Sequence, residues 1–495
     1  MSGLVSFFRD RQEVVSGGDN LSQAINAFLS GKEDGEALLI LAANDCLILP
    51  LDTPEDILYF YRCLTSILFM RKEENPRLDN VLDELVLKGE TKGFWKGFQL
   101  EEGYRVLAHF LYTGKKRGFT VKHLEKGAVL QENGMHVLDR HFPNPRENGE
   151  LALICLYLGW KWFDEDLMQV GLNLAGFCLS LCDHEGKLFQ GLWLRESEYR
   201  SSGLTQIFSL LFSLASHVAL SSKIQVVAET LLEEKEKSPP HLMIALFAKA
   251  FDHLIESEIP FPKGHDGYTL YDHDQSLGFL RYEGDNLSFV CSASGANTGL
   301  GVLHKKGVHI TSFGPHYAPL ADSSGYGIFR PSNGSRDGFK DIEIETGSDK
   351  ARIKGWTRVV APVATHVANQ SYSIAQAGKQ WLFFDLQGME DSASLLVRQS
   401  VVDQENPLYF VFFISADRAI IEGEEEILPK GIERFQGRAN KILFRKNADE
   451  IKISPQFEGE MAVIPLAGSD HFWSADFLLA FPLTEKMSAY QWNIE

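Results

Sequence analysis

"ESEIPFPKGHDGY", residues 256–268, separates two kinds of sequence. Its two prolines and two glycines interrupt helix and strand alike. Before it, apolar residues recur at three- and four-residue steps, the period of amphipathic helices. "PEDILYFYRCLTSILFMRK" (54–72) shows this period, and "EEGYRVLAHFLYTGKK" (101–116) repeats it and stops at a glycine followed by lysines. "ELALICLYLGWKW" (150–162), "DEDLMQVGLNLAGFCLSLC" (164–182), "GLTQIFSLLFSLASHVALS" (203–221), "KIQVVAETLLEEKEK" (223–237) and "PHLMIALFAKAFDHLIE" (240–256) continue the pattern. Several of these segments are apolar on more than one face, so they pack on two sides, as helical hairpins in a ring or arc do. After the break the period becomes two. "NLSFVCSAS" (286–294), "RIKGWTRVVAP" (352–362), "QWLFFDLQG" (380–388), "LYFVFFISAD" (408–417) and "ADFLLAFPL" (475–483) are short strand candidates parted by turn residues. Helices first and strands second is an α+β order. The expected fold has two domains: an all-helical domain over 1–262, its helices in a ring or arc, and an antiparallel β-sandwich over 263–495.

A chain of 495 residues with 44% hydrophobic and 11% aromatic residues fills more than one core. The net charge of −19 argues against nucleic acid as the main partner, because phosphate binding needs a basic face. Six cysteines are too few for a disulfide framework in a chain of this size. Cys178, Cys182 and His184 have the spacing of half a metal site, but no second pair lies near them in sequence, and reduced buried thiols are the default. The first residues lack a basic start followed by an apolar run, and no stretch is long and apolar enough for a membrane span. The expectation is a cytoplasmic protein without membrane contact. There is no P-loop, paired CxxC, HExxH or GxSxG, which removes support for nucleotide hydrolysis, zinc fingers, zincins and α/β-hydrolases.

"GFLRYEGDNLSFVCSASGANTGLGVLHKKGVHITSFGPHY" (278–317) resembles the opening of the β-domain in the heparinase II/III-like polysaccharide lyase family. The correspondence runs through the strand bearing Arg281, the strand and small-residue loop "LSFVCSASG", the hairpin strand "GLGVLH", the turn at Gly307, and the strand ending in Gly314 and Tyr317. The resemblance implies a helical toroid before a β-sandwich, a cleft between them, and β-elimination on an acidic poly- or oligosaccharide. The family carries a His-x-His-x-x-Asp-like cluster before the hairpin strand; this chain has "SGANTG" there, with Asn297 and Thr298. Properties tied to that cluster are therefore not carried over. An acidic carbohydrate is the expected partner, a homodimer stays open, and neither cofactor nor resident metal is implied. A non-catalytic carbohydrate-binding or scaffold protein and a glycoside hydrolase on a similar toroid remain alternatives.

Elimination needs a base, an acid, and a positive group on the substrate carboxylate. "CDHEGKLFQGLWLRESEYRSSG" (182–203) joins two strong helices and is too mixed for a mere turn. It offers His184 and Tyr199 for proton transfer, Trp193 to stack on a sugar ring, and Arg195 and Arg200 to hold a carboxylate. Asp183, Glu185, Glu196 and Glu198 are the carboxylates a hydrolase would draw on. The long polar loop after Gly314 adds His316 and Tyr326 as catalytic candidates and Tyr317 and Arg330 as substrate-binding ones. A weaker group is His366, Asn369 and Tyr372. "HFPNPRENGE" (141–150) reads as a rigid link with His141, Asn144 and Arg146 as polar candidates. In "GLGVLHKKGVHITSFGPHY" (299–317), a two-residue turn at Lys306-Gly307 sets Lys305 opposite Val308 and His304 opposite His309, with Gly307 supplying the positive φ. The two imidazoles then share one face, within reach of a common ion, although no third ligand is evident.

Overall fold

The computed structural model describes residues 18–32, 35–71, 75–91, 99–116, 128–131, 134–137, 143–183, 185–189, 203–219, 227, 231, 242–257, 271–293, 299–316, 339–361, 377–401, 408–422, 425–466, 475–484 and 488–495. The described residues form two compact units. One draws on 1–179 and 203–270, the other on 180–202 and 271–495.

The first unit holds helices α1 (Asn20–Ser30), α2 (Gly35–Ile48), α3 (Pro54–Met70), α4 (Pro76–Thr91), α5 (Gln99–Thr113), α6 (Pro145–Trp162), α7 (Glu165–Ser180), α8 (Leu204–Ala219) and α9 (Leu242–Glu256). A small hairpin of β1 (Ala128–Gln131) and β2 (Gly134–Val137) interrupts them. The helices start where local chemistry dictates. Thr53 and Asp56 form a reciprocal capping box before α3, with Pro54 in the first turn. Asn144 caps α6 by accepting from the N–H groups of Arg146 and Glu147, and Pro145 opens the helix. The segment read as a rigid link is therefore half helix: its prolines mark a helix start. Helix α6 ends at Phe163, which takes a left-handed φ of 50°.

Helices α3, α5, α6, α8 and α9 make a closed circuit of neighbours, each touching the next and α9 returning to α3. This is the α/α toroid. Helix α6 is buried on all sides from Leu151 to Trp160. It approaches α7 so closely that a Cβ on Gly159 would stand 3.0 Å from the Met168 backbone nitrogen. Inside the circuit Glu150 of α6 is 1% exposed. Arg62 reaches it from α3 through two nitrogens at 2.9 and 3.0 Å, Arg146 through Nε at 2.8 Å, and the Tyr104 hydroxyl of α5 at 2.8 Å. Burial alone would raise the Glu150 pKa; the two guanidinium groups pull it down to about 2.

The second unit is a β-sandwich. Its first sheet runs β14 (Glu425–Ile427), β13 (Arg418–Ile421), β16 (Ile442–Lys446), β17 (Asp449–Pro455), β20 (Tyr490–Ile494), β11 (Ser392–Gln399), β10 (Ala377–Met389), β9 (Lys350–Ala361), β8 (Phe339–Thr346). Its second sheet runs β15 (Phe435–Gly437), β18 (Met461–Pro465), β19 (Phe477–Leu483), β12 (Leu408–Ser415), β7 (Val308–His316), β6 (Gly301–Lys305), β5 (Leu287–Ser292), β4 (Phe279–Glu283), β3 (His273–Asp274). Every pairing is antiparallel. One continuous apolar core draws on both sheets. In β9, β10 and β11 buried and part-exposed residues alternate, so that sheet turns one face to the core. Strands β5 and β7 of the second sheet are buried almost throughout, and its far face carries a smaller apolar cluster around Val411, Phe413 and Leu478.

Trp492 anchors the core. It is fully buried, with Phe410, Phe481 and Phe457 ring centroids at 5.0, 5.3 and 5.4 Å. Trp492→Ala is expected to lower unfolding free energy by about 3–5 kcal/mol, read from the urea midpoint at unchanged slope. Glu150→Gln leaves two half-buried guanidinium groups facing a neutral amide. It is expected to cost about 3–5 kcal/mol, read from the urea midpoint at unchanged slope.

Candidate functional site

The hairpin β6–β7 has the register that its sequence predicts. His304 pairs with His309 and Lys305 with Val308. The turn is made differently. Lys306, not Gly307, takes the positive φ, at 52°. Gly307 is needed for proximity instead: its N–H donates to Asp449 Oδ2 at 3.2 Å, and a Cβ there would meet that oxygen at 2.6 Å.

Ser288, His304, His309 and Ser415 stand in one row across β5, β6, β7 and β12, on the face of the second sheet turned away from the main core. A short strip of chain that follows α7 covers this row. Asp183, 3% exposed, accepts from the backbone N–H groups of Glu185 and Lys187 through Oδ1 and meets His304 Nδ1 through Oδ2 at 2.9 Å. The Cys182 carbonyl accepts from Arg281 Nη2 of β4 at 2.9 Å. Cys182 and Leu188 bridge to each other, and the Phe189 ring lies 4.6 Å from that of His304. The strip is thus built into the β unit, although it lies in the helical half of the sequence.

This geometry decides the histidine pair. The two imidazoles stack at 4.1 Å with planes 22° apart. Asp183 takes His304 Nδ1, and His309 Nε2 faces the Lys306 carbonyl at 3.2 Å. The rings lie face to face instead of aiming at a common point, so the shared-ion reading fails on geometry. Among the described residues no group of three or more His, Cys, Asp or Glu has the arrangement of a metal site. Cys178 and Cys182 are buried free thiols, and burial holds the Cys178 pKa well above its usual value.

Burial and neighbouring groups shift both Asp183 and His309. Burial would raise the Asp183 carboxyl pKa; the His304 N–H and the Lys187 backbone N–H hold it below the usual range. A carboxylate only accepts, so His304 Nδ1 carries the proton. Burial, then the neighbouring His304, Lys187 and Lys446, push the His309 pKa down to about 2. A polar groove of about 280 Å³ opens beside the hairpin tip, lined by Glu185, Lys187, Asp285, Asn286, Lys306 and Asp449.

Of the candidates named from sequence, His316 is described and His184, Trp193, Arg195, Tyr199, Arg200, Tyr317, Tyr326 and Arg330 lie outside the described residues, as do Glu196, Glu198, His366, Asn369, Tyr372 and His141. His316 was expected on the wall of a cleft. Its ring is instead sealed in the sheet, 1% exposed, edge-on to Phe413 at 5.4 Å, with neither nitrogen hydrogen-bonded among the described residues. Burial pushes its pKa down to about 3. It ends β7, seven residues from His309, or roughly 23 Å along the strand. The covered row and His316 therefore lie at opposite ends of β7. Arg146 and Asn144 serve the Glu150 cluster and the α6 cap. Sequence reasoning weighed Asp183 only as a hydrolase partner and missed the clamp that it forms; the Asp-x-x-Gly turn of residues 183–186 was the available local signal.

His309 and His316 stay neutral in the fold but take up protons in the unfolded chain below about pH 6.5. The unfolded state then binds more protons, so their contribution to stability is complete above that pH and declines towards the folded pKa values of about 2 and about 3. Urea midpoints are expected to fall steadily between about pH 7 and 5, and His316→Phe is expected to flatten that slope. Asp183 has the opposite chemistry and a lower window: its contribution is present above about pH 4 and lost below.

No family model and no curated protein matches the sequence. Among solved structures the chain is similar to the chondroitin AC lyase of Streptomyces coelicolor A3 in complex with chondroitin sulphate. The identity is 11% and the TM-score 0.44, covering 100% of this chain and 82% of that one. A mutant of the same lyase gives 9% identity and a TM-score of 0.44 over 99% and 82% of the two chains. A GH127 β-L-arabinofuranosidase from Geobacillus stearothermophilus T6 gives 10% identity and a TM-score of 0.26 over 99% and 93%. At this distance none of these likenesses assigns a residue or a reaction to this chain.

Proposed function

We propose that this protein acts on an acidic carbohydrate by β-elimination, with the segment around residues 184–200 as its reactive loop. The observation that carries this reading is the clamp at the start of that segment. Asp183 fixes the turn in which His184 stands in sequence, through two backbone N–H groups and His304. The residues after Phe189 then follow from a rigid base, which the positioning of a base, an acid and a carboxylate binder requires.

In this reading His184 or Tyr199 takes the proton from the carbon next to the sugar carboxylate. The electron pair forms a carbon–carbon double bond, the glycosidic carbon–oxygen bond breaks, and the leaving oxygen receives a proton from the other residue. Arg195 and Arg200 hold the carboxylate, and Trp193 stacks on the ring. Tyr317, Tyr326 and Arg330 belong to a separate loop and extend the binding surface. His316, buried and neutral, positions the start of that loop and does not itself meet substrate.

One observation favours a second reading, carbohydrate binding without turnover. His304 is held by Asp183 and His316 is sealed in the sheet, so neither is open for proton transfer.

Ultraviolet absorbance during incubation with hyaluronan, alginate, polygalacturonate and chondroitin sulphate separates the two. Elimination gives a rising signal from the unsaturated product. Tyr199→Phe is expected to reduce the rate by about 100-fold or more with the urea midpoint unchanged. A flat trace with wild-type folded protein across the panel rejects elimination, and saturable binding without product then selects the second reading.

A further inference from the structure

The exposed face of the first sheet carries a feature that the proposed loop does not use. Lys340 of β8 pairs with Trp356 of β9, Trp356 with Phe383 of β10, and Phe383 with Arg398 of β11. Four side chains therefore stand in one row across four strands, cation, aromatic, aromatic, cation, over three strand spacings or about 14 Å. Trp381 pairs with Arg358 in the next row along the strands. Trp356, Trp381 and Phe383 alternate with fully buried Thr357, Leu382 and Phe384, so they lie on the face away from the core. All three are part-exposed, and Lys340 is exposed. Trp356 meets Phe383 edge-on at 5.4 Å. Lys340 Nζ stands 4.6 Å from the Trp381 ring and 5.7 Å from the Trp356 ring, and Arg398 lies 5.9 Å from the Phe383 ring.

Charge distinguishes this patch from its surroundings. Further along the same face the cations are matched: Arg352 pairs with Asp385 at 2.6 Å and Lys354 with Glu343 at 2.7 Å. In the first aromatic row Lys340 and Arg398 flank Trp356 and Phe383, with no carboxylate among the four. On a chain of net charge −19, such a concentration is a local exception. Aromatic faces gather the apolar C–H faces of sugar rings, and flanking cations take their acid groups. A hydrophobic partner helix would not call for cations at both ends, and a neutral glycan would leave them unused.

We propose that this row is a binding platform for a short stretch of acidic oligosaccharide, with ring faces on Trp356, Phe383 and Trp381 and carboxylate or sulfate groups on Lys340 and Arg398. It shares the ligand class of the proposed function but not its residues. The platform holds the polymer whether or not the loop cleaves it.

The test uses the full chain and titration calorimetry with hyaluronan and chondroitin sulphate oligosaccharides, with dextran as the neutral control and polyglutamate as the acidic peptide control. Lys340→Glu with Arg398→Glu changes only solvent-facing charge and is expected to weaken binding at least about tenfold. Trp356→Ala is expected to do the same, with Phe383→Leu as the milder variant should Trp356→Ala fail to fold. Tyr199→Phe keeps the platform affinity and loses product formation, which separates this inference from the catalytic one. Affinity within about twofold of wild type in the charge-reversed and aromatic variants overturns the platform, as does wild-type protein that binds none of the acidic oligosaccharides. Polyglutamate binding as tightly as the sugars overturns the carbohydrate assignment and selects an acidic protein partner instead.

Discussion

The buried contact between Asp183 and His304 decides what the middle of this chain does. A carboxylate removed from water is costly unless it is fully hydrogen-bonded, and Asp183 receives two backbone N–H groups and one imidazole N–H. Those bonds shape the turn after α7 and fasten it to β6 together. The Arg281 contact with the Cys182 carbonyl and the Phe189 contact with His304 follow from the same placement. Without it, a strip of chain from the helical half would have no reason to belong to the β unit.

A similar economy operates in the helical unit, where Glu150 satisfies two arginines and a tyrosine drawn from three different helices. A charged centre of this kind adds less net stability than an apolar one of equal volume, but it is unforgiving of register. A helix shifted by one residue would strand a charge in the core. Apolar packing does the rest: α6 is buried all round, and its glycine lets α7 approach to backbone distance. In the sandwich the corresponding role falls to Trp492, which is ringed by four aromatic side chains within 6 Å.

The β unit uses its faces differently. The inner faces of both sheets share one core. The far face of the second sheet is polar at the hairpin end, where the histidine row lies, and apolar further on, where His316 is enclosed with Phe413. The outer face of the first sheet carries part-exposed aromatic and exposed cationic side chains in register. Alternation along a strand makes such division possible, since neighbouring residues serve opposite faces.

Periodicity and punctuation in the sequence determined the order of helices and strands and the pairing of His304 with His309, because these depend on neighbours a few residues apart. The Asn-Pro pair before α6 carried its helix start just as locally, although two prolines in a row of polar residues suggest a link. Tertiary structure alone decided that Asp183 would meet His304 across 121 residues of sequence, that the paired imidazoles would stack, and that His316 would be sealed in the sheet. It alone also aligned Lys340, Trp356, Phe383 and Arg398 into one row. Each of these depends on which strand lies beside which and on what covers each face, and those choices are made by burial summed over the whole core rather than by any local pattern.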